Sequence, residues 1–267
     1  MRVEIENTSS PGASFTDNTN NVLLKTYEWI CEHSGLTLPF RDFRMKLQAD
    51  KGVNDNNNRN IYPLLKNSGL VNYEKNNSLC VDSFFTNTGL AYVKTVEAIH
   101  EIESEDYNDE QKKTAIKKMK LIQNEIIYEG IKKLMKQPDV NYVEPMRNLI
   151  GYLLKYDKVD KYEYAYLLSE LKDNDLKTAL DNMKDNVEAY RKGELEIDVL
   201  VEVRNDIDIR ERTNSEHRKE GITYLTSVGY LTNLLSQAGL IRKNKNYHCV
   251  EEEKRTLLKE LGGINND

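Results

Sequence analysis

One four-residue pattern occurs twice in this chain and constrains what can surround it. Ser68-Gly69-Leu70-Val71 closes one amphipathic stretch, and Ala238-Gly239-Leu240-Ile241 closes another. A helix that stops on Gly uses that residue's access to positive φ to turn the chain away. The apolar pair after it reads as the start of a strand. A polar tip follows in both copies: Glu74 to Asn77 in the first, Arg242-Lys243-Asn244-Lys245-Asn246 in the second. Return strands come next, Ser78 to Asp82 and Tyr247 to Val250, and a helical stretch closes each copy. The expected fold is therefore mainly α with small β wings: two winged-helix (helix-turn-helix) subdomains joined by helices. The expected divisions are a polar N-terminal arm over 1–20, the first winged-helix subdomain over 21–98, connecting helices over 99–137, and a second helical and winged-helix subdomain over 138–267.

Apolar spacing fills in the elements. Val22 to Glu32 reads as a helix capped by Asn21 or Thr19, with Trp29 buried. Pro39 starts a second helix, Phe40 to Ala49, with Arg41, Arg44 and Lys46 on its outer side. In the first wing, Leu70 to Tyr73 should pair with Ser78 to Asp82 as a hairpin. Thr86 or Thr88 caps the closing helix. Asp109 to Gln137 is one long helical pattern with a lysine-rich polar face, read as a solvated face or as a strip that tracks phosphates. Val143 to Leu154 is helical, and Asp160 with Glu163 makes a capping-box-like pair for the next helix. Asp175 to Lys192 reads as a single helix. Glu194 to Arg210 is ambiguous, and Arg212 to Gly239 reads as a second helix-turn-helix.

The totals narrow the class. The chain has 267 residues, a net charge of -6 and 31% charged residues. Its mean hydropathy is -0.70. No apolar run approaches the roughly 18 residues of a membrane span, and the N-terminus has no apolar signal region. Cys31, Cys80 and Cys249 are odd in number and form no CxxC pair, which points to reduced thiols in the cytoplasm. The acidic balance disfavours a non-specific nucleic-acid binder but leaves room for a site-specific one.

Asn and Arg side chains read adenine and guanine in the major groove. The run Asn54 to Asn60, rich in amides and holding Arg59, stands at the leading end of the first readout helix. Asn57, Asn58, Arg59 and Asn60 are the candidates for base edges, with Tyr62 beside them. Arg41, Arg44, Lys66 and Lys75 are the candidates for phosphates. In the second copy Thr226, Ser227, Tyr230 and Asn233 are placed near bases, and Arg242, Lys243 and Lys245 at phosphates. A catalytic reading of Glu196-Ile197-Asp198-Val199-Leu200-Val201-Glu202-Val203-Arg204 is weak. Asp198 and Glu202 are too close in sequence for two adjacent strands, and Arg204 cannot act as a general base. The four histidines are scattered. No catalytic or metal-binding residues are expected in this chain.

The order of motifs resembles a known family. Arg59-Asn60-Ile61-Tyr62-Pro63-Leu64-Leu65-Lys66-Asn67-Ser68-Gly69-Leu70-Val71 is similar to the readout helix of the type IIS restriction and nicking endonucleases. Phe85-Thr86-Asn87-Thr88-Gly89 is similar to the Leu-Thr-x-x-Gly that starts their closing helix. Leu149 to Leu171, with Lys158-Val159-Asp160-Lys161-Tyr162-Glu163, and Thr223 to Val250 resemble their second subdomain. The likeness covers about residues 21–262. It implies a recognition region that binds double-stranded DNA as a monomer at a short asymmetric site. In that family a separate Mg²⁺-dependent nuclease domain follows and cuts outside the site, so the parent protein would be a type II site-specific deoxyribonuclease. The other readings are a tandem winged-helix replication initiator or transcription regulator, and a protein–protein interaction module.

Overall fold

The computed structural model describes residues 9–195 and 224–263; for 56–58 and 224–227 it describes the backbone alone. It is mainly helical with small antiparallel sheets. The chain divides into two compact units. One comprises Pro11–Val140 with Asn233–Gly239, and the described residues of the other fall within Met1–Ser10, Asn141–Thr232 and Leu240–Asp267.

In the first unit α1 is Asp17–Glu32, β1 Thr37–Pro39, α2 Phe40–Lys51, α3 Asp55–Asn67, β2 Ser78–Cys80, α4 Asn87–Ser104 and α5 Asp109–Leu134. Helix α1 starts earlier than the apolar spacing predicts because Thr16 caps it by accepting from the Thr19 N–H. The segment before it is not a loose arm. Ala13, Ser14 and Phe15 are buried, and the Gln237 carboxamide brackets the Phe15 backbone at 2.9 and 2.8 Å. Trp29 is fully buried, as expected, and its indole N–H donates to Asp50.

The first wing departs from the expected hairpin. β2 pairs with β1, placing Leu38 opposite Leu79. The Leu70–Asn72 segment instead lies along Phe84–Thr86: Val71 bridges Phe85, Asn72 N–H donates to Phe84 O at 2.7 Å, and Thr86 N–H donates to Leu70 O at 3.1 Å. Burial decides the pairing. Phe84 and Phe85 both enter the core, and their backbone is carried in alongside Leu70 and Val71. The core they join is aromatic. Phe40 stacks on Tyr73 with ring centroids 4.1 Å apart, and Phe84 meets Phe43 at 5.0 Å and Tyr62 at 5.4 Å.

Gly69 closes α3 at φ 71° and Gly239 closes the helix Tyr224–Gln237 at φ 69°, so both chain reversals use the left-handed region that glycine enters without penalty. Thr86 holds the first reversal in place. Its hydroxyl donates to Gly69 O at 2.8 Å and accepts from Gly89 N–H at 3.0 Å as the cap of α4. Gly89 is required by contact: a Cβ there would sit 1.8 Å from Leu70 O.

The second unit contains α6 (Val143–Tyr156), β3 (Lys158–Val159), α7 (Lys161–Glu170), α8 (Leu176–Asn182) and α9 (Lys184–Lys192). Helix α10 (Tyr224–Gln237) follows, its residues up to Thr232 in this unit, and then β4 (Ile241–Asn244), β5 (Tyr247–Val250) and α11 (Arg255–Gly262). The single helix expected over Asp175 to Lys192 is broken at the buried Met183. The β4–β5 hairpin forms as expected, with Ile241 opposite Val250. β5 also pairs with β3, giving the sheet order β3-β5-β4. The ambiguous Glu194 to Arg210 stretch and the start of the Arg212 to Gly239 stretch fall largely outside the described residues.

Both units share one connectivity. A helix (α1 or α6) leads to a short strand (β1 or β3) and a second helix (α2 or α7). A later helix (α3 or α10) then ends on Gly. A return strand (β2 or β5) pairs with the short strand, and a closing helix follows.

Candidate nucleic-acid interface

Helix α2 starts directly after Pro39, which has no side-chain cap to offer. Its first turns place Phe40 inward, Arg41 in solvent, and Arg44 at the edge. Helix α3 runs beside it and presents Arg59 and Pro63. The loop before β2 supplies Tyr73 and Lys75. Together Phe40, Arg41, Arg44, Arg59, Tyr62, Pro63, Tyr73 and Lys75 line a cleft of about 350 Å³. A second groove of about 520 Å³ shares Pro63, Tyr73 and Lys75 and continues past Lys66, Asn67 and Glu74 to Asn76 and Asn77. Five cationic side chains thus line one continuous trough, whose described lining includes one carboxylate, Glu74.

The charges are ordered by a few contacts. Asp55, in the first turn of α3, holds Arg44 at 2.8 Å and Arg59 at 3.4 Å. The Arg59 side chain remains 66% exposed. The Arg44 Nε donor is buried with no hydrogen-bond partner. Lys66 pairs with Glu74 at 2.8 Å and lies over the Tyr73 ring at 5.2 Å. Arg41 and Lys75 make no ion pair among the described residues. Burial pushes the Tyr73 hydroxyl up to about 12 and raises Tyr62 further, so both phenols stay neutral in the physiological range.

Two sequence expectations need correction at this surface. Tyr62 was expected near bases, but it is 1% exposed and its hydroxyl lies 3.2 Å from the Thr26 hydroxyl. It is part of the aromatic core beneath the cleft. Arg44 is not on an outer face; Asp55 ties it into the wall. The remaining first-unit candidates are placed as follows. Arg41, Arg59, Lys66 and Lys75 come together on the trough. Asn60 is exposed but lies beside Gly12 and is not part of the trough lining. The side chains of Asn57 and Asn58 lie outside the described residues.

In the second unit, Arg242, Lys243 and Lys245 stand exposed on the β4–β5 hairpin, with Lys245 in its turn at φ 54°. Arg242 pairs with Glu251 at 3.3 Å. Lys158 lies over the Tyr247 ring at 4.4 Å. Tyr230 is half-buried and Asn233 is exposed; the side chains of Thr226 and Ser227, like Glu196 to Arg204, lie outside the described residues. His248 faces Lys243 across the hairpin, and burial, then Lys243, hold its pKa below the usual 6.5.

A buried polar cluster in this unit was only partly visible in the sequence, through Asp160 and Glu163. Asp160 caps α7 and forms the full box with Glu163. Glu163 is fully buried and takes both Arg191 Nε and a terminal nitrogen, at 2.7 and 3.1 Å. Arg191 also donates to the carbonyls of Tyr156 and Lys158, and Tyr190 donates to Asp160 at 2.7 Å. Burial raises the Glu163 carboxyl and Arg191 opposes it. The Arg191 and Tyr190 contacts tie α9 to the end of α6 and the β3–α7 corner, so the cluster fastens the fold. Capping spacing announces Asp160 and Glu163; no local signal announces Arg191. Among the described residues no three His, Cys, Asp or Glu side chains assemble as a metal-binding group, and no helix is long and apolar enough to cross a membrane.

Compared with known proteins, the chain matches no family model, no curated protein and no solved structure.

Proposed function

We propose that this chain binds duplex DNA in a sequence-specific manner, with each unit acting as a winged helix. On this reading α3 enters the major groove with Arg59 at base edges, and the other trough cations meet the backbone on either side. The observation that carries it is the trough itself. In a chain of net charge -6, Arg41 and Arg44 from α2, Arg59 and Lys66 from α3, and Lys75 from the loop before β2 line this trough. A local concentration of positive charge against an acidic background favours one docking face over general adhesion to polyanions. Two features support the winged-helix assignment: β1–β2 and β3–β5 pair alike, and the helix closed by Gly239 leads directly into the β4–β5 hairpin. In a winged helix the second or third helix reads base edges and the wing meets backbone or minor groove.

The resemblance gives the context. We propose the recognition part of a type IIS restriction endonuclease, with Mg²⁺-dependent cutting assigned to a separate nuclease domain. The test is selection from a randomised duplex pool, followed by fluorescence anisotropy on the enriched sequence. One short non-palindromic word should emerge, bound without cleavage when Mg²⁺ is added. Failure to shift any duplex at low salt would end the proposal, and enrichment of direct repeats would point to an initiator instead.

A further inference from the structure

Helix α5 has 26 residues, about 39 Å at 1.5 Å per residue. Its second half buries Gln123, Ile127, Gly130, Ile131 and Leu134 on one side. The opposite face is bare. Thr114, Lys118, Leu121, Ile122, Glu125 and Glu129 are all exposed, and their spacing of three and four residues puts them on one stripe. Leu121 is 54% exposed and Ile122 42%, two of the four large apolar side chains that stand out on the described surface. Isolated exposed Leu or Ile needs no explanation, but an adjacent pair at the centre of a charged helix face marks a contact surface.

The charges on this stripe say what covers it. Lys118 lies on the N-terminal side of the apolar pair and Glu125 on the C-terminal side, each three residues from the nearer member. Neither makes an ion pair among the described residues. Such a pattern is self-complementary under a two-fold axis. If a second α5 runs antiparallel with the axis between positions 121 and 122, Leu121 meets the second copy's Ile122. Lys118 meets the second copy's Glu125, and Thr114 meets its Glu129. Every contact then occurs twice, as an isologous interface requires. We propose that α5 is the contact helix of a homodimer formed by antiparallel pairing about this point. A duplex is a poorer occupant, because Glu125 and Glu129 on the same stripe would face phosphates. The contact spans one helix face, so it belongs at the small, weak end of specific interfaces. The proposal replaces the monomer expected from the sequence and does not depend on DNA binding.

The test is sedimentation equilibrium of the 267-residue chain without DNA, over a concentration series at low and high salt. Wild type should show a monomer–dimer equilibrium weakened by salt. Lys118→Glu and Glu125→Lys should each weaken association by about tenfold or more, since two attractive contacts become repulsive. The double variant carrying both changes should recover it, and so should an equimolar mixture of the two single variants. All four positions in the core of the contact are solvent-exposed, so circular dichroism should show unchanged folding. A chain that stays monomeric, or an association indifferent to either single change, overturns the proposal. So does failure of the double variant to recover, or a Lys118→Glu variant that loses duplex affinity while keeping its association.

Discussion

Gly89→Ala tests the way the first unit is held together, and the structure sets both the sign and the size. On helix propensity alone the change should help, because Ala in a helix is favoured over Gly by about 0.5–1 kcal/mol. The contact map reverses that. The added Cβ would lie 1.8 Å from Leu70 O and 2.8 Å from Leu70 C, and neither atom belongs to a side chain that can swing aside. Relief requires α4 to move away from the Gly69–Leu70 reversal. That movement strains the Thr86 cap to Gly89 N–H, the Thr86 hydroxyl bond to Gly69 O, and the backbone bond from Thr86 N–H to Leu70 O. Overpacking of this kind costs about 1–3 kcal/mol, a lost cap about 1 kcal/mol, and a lost hydrogen bond about 1 kcal/mol. Against the propensity gain the net destabilisation is about 2–4 kcal/mol. The chain's single tryptophan, Trp29, is fully buried in the same unit, so its fluorescence in urea reports this unit's unfolding. With a mid-range slope of about 2 kcal/mol per molar urea, the midpoint should fall by about 1–2 M. Gly52→Ala is the control: it strains a positive φ, which Gly89 does not have, but its Cβ meets nothing within 4 Å. A Gly89→Ala midpoint equal to wild type, or no lower than that of Gly52→Ala, would refute the account of the reversal.

The remaining predictions concern the site and the second unit. Arg59→Ala should weaken binding to the selected duplex by about 1–3 kcal/mol and relax its sequence preference, whereas Lys75→Ala should weaken all duplexes alike and lower the salt slope by about one. Anisotropy titrations across salt and competitor sequences separate the two. Arg191→Met should destabilise the second unit by about 3–5 kcal/mol, since it strands Glu163 without its partner; changing both residues to Met should cost less than the sum of the single changes, read by thermal melts of all three variants. His248 has its folded pKa held below 6.5, so the unfolded chain takes up its proton first. Its contribution to stability is complete above pH 6.5 and declines as the pH falls through 6.5 towards the folded value. Urea midpoints should show that decline in wild type and a shallower one in His248→Gln.

What the sequence discloses here is what neighbouring residues decide. The Thr86 cap with Gly89 and the Asp160–Glu163 box each lie within one turn of helix, and the polar tip between β4 and β5 lies within one hairpin. All are visible as spacing. The β1–β2 pairing is not, because nothing near Thr37 says that its partner is Cys80 and not the strand expected from Leu70 to Tyr73. That choice depends on where Phe84 and Phe85 find room, which is a property of the assembled core. Tyr62 was misplaced for the same reason. An aromatic residue one turn beyond Arg59 fits either a readout face or a core face, and the helix rotation that buries it is set by Phe40, Tyr73 and Phe84. The Arg44–Asp55 tie crosses between helices, so the sequence reads Arg44 as a free cation.

The shared connectivity of the two units hides a difference in how they use charge. In the first unit the helix after the short strand opens with Phe40 and Arg41 and continues to Arg44, and these residues line the trough. In the second unit the equivalent helix opens after Asp160, and its charged Glu163 turns inward to Arg191. That helix turns Glu163 inward to fasten α9, and three of the unit's exposed cations, Arg242, Lys243 and Lys245, stand together on the hairpin, apart from Arg147, Lys172, Lys177, Lys184 and Lys192 elsewhere in the unit. Under the proposed function the two units should therefore contribute unequally. Neutralising the three hairpin cations together should reduce affinity and the salt slope by about three phosphate contacts' worth while leaving the selected sequence unchanged. If the selected word shifts instead, the second hairpin reads bases, and the division of labour between trough and hairpin is wrong.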